Sequence, residues 1–113
     1  MTRSKFFTSL VGALVLPATA LAHELVISAK TDCDVLMVAV TYPSGRAVKQ
    51  GDVRVSDGDN LLQATGTLSS DGTAQFELDT FDHSGGVLVV VQSGHHDDYW
   101  ILTPEDIAQS SKS

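Results

Sequence analysis

A single cysteine, Cys33, rules out any internal disulfide, so packing and hydrogen bonds alone must hold whatever fold forms. Aromatic residues are scarce at 6%, and a small domain with few large rings builds only a modest core. Basic residues number seven against fourteen acidic ones, a balance that argues against nucleic acid and anionic lipid as partners and favours attraction of cations. Long apolar runs are missing too. The one that stands out, from Phe6 to Leu16, has about half the ~20 residues that a bilayer span needs. The chain also lacks a G-x-x-x-x-G-K phosphate loop, a G-x-S-x-G nucleophile turn and an H-E-x-x-H zinc motif, and it is read as a non-enzyme.

The short apolar run fits an export signal. Arg3 and Lys5 precede it, Pro17 breaks it, and Ala20-Leu21-Ala22 supplies the small residues at which signal peptidase cuts. Cleavage after Ala22 makes residues 1–22 a signal peptide, sends the protein to the periplasm and leaves 23–113 as one domain of 91 residues. Arg3 and Lys5 leave with the signal, so five basic groups face fourteen acidic ones, a formal charge of −9. The exported chain then begins with His23.

Beyond the signal, β-branched and aromatic residues cluster between Gly, Asp and Ser groups, which predicts strands over 25–29, 35–42, 52–56, 62–68, 73–78, 87–92 and 99–102. Period-two alternation is clearest in Val53-Arg54-Val55 and in Ala74-Gln75-Phe76-Glu77-Leu78, the pattern of strands with one wet face. Val87 to Val91 is apolar throughout and predicts a central strand. Turn chemistry recurs at Pro43-Ser44-Gly45, Asp57-Gly58-Asp59-Asn60, Ser70-Asp71-Gly72 and Ser84-Gly85-Gly86. The spacing suits an all-β fold, a small antiparallel sandwich of about seven strands. One helical turn is expected over 104–109, capped by Thr103 with Pro104 first and Glu105 and Asp106 near its N-terminus.

Four histidines remain after cleavage: His23, His83, His95 and His96. A free terminal amine beside its own imidazole is a two-nitrogen chelate, and copper(II) and nickel(II) favour nitrogen donors in square-planar or tetragonal arrays. A third nitrogen from His95 or His96 would complete a T-shaped site. Both lie in the stretch 93–98, read as a loop at one end of the sandwich, where a rigid scaffold commonly carries function. Neighbouring residues on an extended chain point to opposite faces, so one of the pair is the expected ligand. Asp97 or Asp98 could add an axial oxygen or orient an imidazole. His83 reads as a solvent-facing turn residue, Trp100 as a core residue with Tyr99 pointing outward. Cys33 is open to three readings: core thiol, soft ligand or dimer cross-link. Its neighbours Asp32 and Asp34 raise a thiol pKa, which favours an inert role.

The segments Val40 to Val48, Gly51 to Val55 and Gly66 to Phe76 resemble carboxypeptidase-regulatory-like and related transthyretin- or immunoglobulin-like sandwich modules. The closing stretch from Val89 through Gly94-His95-His96-Asp97-Asp98-Tyr99-Trp100 to Leu102 is similar to the end of small periplasmic accessory proteins of bacterial nickel and cobalt uptake systems. That resemblance implies a metal-handling domain working beside a membrane transporter, with cobalt(II) added to copper(II) and nickel(II) as candidate cargo. A terminal histidine is also similar to that of copper-resistance carriers and histidine-brace oxygenases, although 91 residues leave little room for a polysaccharide-binding face. From a different class comes a metal-free sandwich that binds a protein partner in the cell envelope.

Overall fold

The computed structural model describes residues 24–112, with side chains to 109. The expected signal peptide, 1–22, and the expected first residue of the exported chain, His23, lie outside the described residues.

Seven antiparallel strands form two sheets. One sheet has β1 (Val26–Asp32) and β5 (Thr73–Glu77) on either side of β2 (Val35–Thr41); the other runs β4 (Leu62–Thr67), β3 (Asp52–Ser56), β6 (Val87–Ser93), β7 (His96–Leu102). This is the all-β sandwich that the turn spacing predicts. Alternation builds it: β1 buries Ile27, Ala29 and Thr31, and β2 buries Leu36, Val38 and Val40. The facing sheet answers with Val53 and Val55 of β3 and Val87, Val89 and Val91 of β6. Removing such apolar surface from water is the main favourable term in folding. β6 is an inner strand of its sheet, as its apolar run predicts, but its second face is open to solvent and holds Leu88 and Val90 half-buried.

Two strands are longer than expected by two residues or more because tight turns close them. β1 runs on to Asp32, which pairs with Val35 across a two-residue turn. The turn residues Cys33 and Asp34 have φ of 52° and 68°, the paired positive values of the hairpin type that matches strand twist. β7 starts at His96 rather than at 99, because Ser93 pairs with His96 and leaves only Gly94 and His95 in the turn. Gly94 has φ of 61°, the conformation that this first turn position demands and that glycine adopts freely.

A 3-10 turn at Leu78–Thr80 follows β5, and α1 (Pro104–Lys112) ends the described chain, three residues longer than the stretch 104–109 expected to be helical. Thr103 and Asp106 cap α1 reciprocally: Thr103 Oγ1 accepts from the Asp106 N–H at 3.1 Å, and Asp106 Oδ2 accepts from the Thr103 N–H at 3.0 Å. That exchange satisfies two groups the helix start would leave open. Ile107 anchors α1 to the core, and the helix lies over β1 and β7, where the two sheets meet along one edge.

Candidate histidine site at the β6–β7 turn

The β6–β7 hairpin fixes the two described histidines that the sequence singles out. His95 occupies the turn and is exposed; His96 opens β7 and is half-buried. Pairing of Val91 with Asp98, Val89 with Trp100 and Val87 with Leu102 shows which side of β7 faces the sandwich interior. By strand parity His96 belongs to that side together with Asp98, while Asp97, Tyr99 and Ile101 lie on the other. The His96 ring meets Tyr42 edge to face, with centroids 6.3 Å apart and planes at 78°. Tyr42 follows directly on β2, so an aromatic residue of one sheet braces an imidazole of the other. Beside them is a shallow hollow whose lining includes Lys49, Gln50, Asp52 and Gln92. Ser93 Oγ donates to the Gln50 carbonyl at 2.5 Å and ties the end of β6 to the chain leading into β3.

The described chain begins at this same end. Val26 pairs with Thr41, one residue before Tyr42. Leu25 is buried at 4% exposure and continues the inward alternation of β1. β1 and β7 lie against each other and both run away from this end; farther along, Ala29 and Lys30 share a groove with Trp100 and Leu102. The described chain therefore starts at the corner that carries Tyr42 and His96.

Three expectations change. His83 is not a plain solvent-facing turn residue: it is half-buried, and its Nδ1 donates to the Leu78 carbonyl at 3.0 Å, with the Phe81 carbonyl at 3.2 Å. It stands before β6, and His96 after it, so seven residues of strand, about 20 Å at the usual rise, separate the two; His83 has no share in a site at the β6–β7 turn. Trp100 keeps its inward parity opposite Val89 but is 41% exposed, because β7 is the last strand of its sheet and only a groove, shared with Glu105 and Asp106 of α1, lies beside it. Cys33 is no core thiol: it sits exposed at the tip of the β1–β2 hairpin. A hydrogen bond and the charge of Asp32, joined by Asp34, push its pKa up, so the thiolate is disfavoured as the flanking carboxylates predict.

Asp98 Oδ1 accepts from the Tyr99 N–H at 2.8 Å. Tyr42 is the functional candidate that sequence reading missed. Its only signal is its position just before the Pro43-Ser44-Gly45 turn, and nothing short of the register relates it to residue 96. Among the described residues no group of three or more His, Cys, Asp or Glu side chains is placed to hold a metal ion, and no helix is long and apolar enough to cross a membrane. No protein-family model matches this chain, and no curated protein matches it.

Proposed function

We propose that this protein is a non-catalytic periplasmic carrier of a transition-metal ion, copper(II) or nickel(II)/cobalt(II). It binds the ion through the amine and imidazole of His23, exposed by cleavage after Ala22, and through the imidazole of His96. The observation that carries the reading is the shared corner: Leu25 and Val26 lead into β1 beside Tyr42, whose ring braces His96. Two residues of chain reach at most about 7 Å, so a histidine two before Leu25 stays within range of this corner. His96 is preferred to His95 because it is half-buried and held by Tyr42, which lowers the cost of fixing a ligand. Asp98, on the same side of β7, is a candidate for an axial oxygen or an imidazole acceptor. The charge of −9 concentrates cations around the molecule. The likeness of the Gly94 to Leu102 stretch to accessory proteins of nickel and cobalt uptake supports delivery to a membrane transporter.

The test is mass spectrometry of the secreted protein followed by titration with copper, nickel and cobalt. The exported chain is expected to begin at His23 and to bind one ion per molecule, copper first by the general affinity order. His96→Ala is expected to weaken binding by about 100-fold and His95→Ala by no more than a few-fold. One added residue before His23 is expected to abolish the chelate. Equal affinity in the extended protein would overturn the proposal.

A further inference from the structure

The outer face of the four-stranded sheet should be polar, since the described chain leaves no element covering it and a half-solvated antiparallel sheet alternates apolar-in with polar-out. Instead it carries an apolar patch. Pairing puts Leu62, Ser56, Leu88 and Ile101 in one cross-strand row, and Thr65, Arg54, Val90 and Tyr99 in the next. Tyr99 is 60% exposed, Ile101 58% and Leu62 57%. An apolar group gathered on one open sheet face is a candidate interaction site.

The rim says what fits. Asp52 and Asp97 close one end of the patch, and exposed Asp59 stands at the β3–β4 turn at the other. Among the described residues at outward positions of these strands, Arg54 is the only cation. A second copy would bring acid against acid between two chains of charge −9, which costs affinity. Anionic lipid meets the same repulsion.

We propose that the outward face of β6 and β7, extended by Leu62, docks a partner protein whose contact surface is apolar at its centre and bears lysine or arginine at its rim. This needs no metal, and its apolar centre is separate from the histidine corner, which the face borders only at Asp52 and Asp97.

The experiment uses the whole exported chain labelled with nitrogen-15 and a synthetic extended peptide of alternating lysine and valine, with lysine–serine and glutamate–valine peptides as controls. The lysine–valine peptide is expected to shift amide signals of β6 and β7, and its binding to weaken as salt is added. The double variant Tyr99→Ser with Ile101→Ser, its spectrum otherwise native, is expected to lose about tenfold or more in affinity. Asp97→Lys, which keeps the apolar centre, is expected to weaken binding as well, and both control peptides to bind far more weakly than the first. Equal binding of the lysine–valine peptide to the double variant, or equal binding of the glutamate–valine peptide, would sink the proposal. So would a wild-type dimer in sedimentation that the double variant loses, or insertion of the patch into phosphatidylcholine vesicles.

Discussion

At Cys33, backbone geometry and charge act on one side chain. The hairpin tip holds it in the open, and Asp32 keeps its proton in place. At pH 8 it is therefore expected to react with iodoacetamide more slowly than free cysteine, and Asp32→Asn to speed it several-fold; an unchanged rate would show that Asp32 has no hold on the thiol. Thr31 presents the opposite case. Its Oγ1 is buried, with no hydrogen-bond partner, a costly state for a hydroxyl. Thr31→Val keeps the shape and removes that burden, so thermal unfolding should show a gain of roughly 1 kcal/mol. A loss would mean that the hydroxyl is satisfied in solution. The flanking carboxylates announce the direction of the Cys33 shift, but the placement of neither residue could be read in the sequence. The two-residue turn at Cys33-Asp34 lacks the Asn-Gly or Asp-Gly signal of its type, and a lone Thr at the end of a strand gives no hint of which way it faces.

Elements were legible where their own residues carry the signal. Val53-Arg54-Val55 and Ala74 to Leu78 alternate as strands should, and β3 is bounded as expected. The start of β7 was hidden because His96, Asp97 and Asp98 are polar and look like loop; cross-strand pairing with β6, not apolar content, makes them strand. α1 is the reverse: Thr103, Pro104 and Asp106 announce its beginning, while its end has no marker before the tail. Thr103→Ala removes the side-chain half of the reciprocal cap and should cost about 1 kcal/mol. The loss should show in faster amide exchange in α1, leaving β3 and β6 protected. Uniform loss of protection across the sheets would mean that the helix and sandwich unfold as one.

Across the molecule, carboxylates govern the response to acid. Asp57 is held below the usual carboxylate range by the Leu61 N–H, with the Asp59 N–H and Gln63 adding to it; the Ser69 and Thr73 hydroxyls do the same for Asp71, and the Ser84 N–H for Asp82. A carboxyl whose folded pKa lies below its unfolded value stabilises the fold above that unfolded value, about 3.9, and loses the effect as pH falls through the folded one. Melting temperature should thus hold steady down to about pH 5 and drop below about pH 4. The triple variant Asp57→Asn, Asp71→Asn and Asp82→Asn should be less stable than the wild type at pH 7, with the gap closing in acid. A gap that persists at pH 2 would remove these groups from the account. The whole-molecule architecture was legible from turn spacing and alternation. That β1 sets out from the same end of the sandwich as the β6–β7 turn was not, because strand order across two sheets leaves no local trace in the residues themselves.

The way β1 sets out from beside Tyr42 has a practical side. Any residues placed ahead of Glu24 in a recombinant product, whether a leftover initiator methionine, a protease scar or an affinity tag, join the chain at the end of the sandwich that carries Tyr42 and His96. A polyhistidine handle there would manufacture a metal site of its own, so ion-binding work on this molecule calls for purification handles at the far terminus.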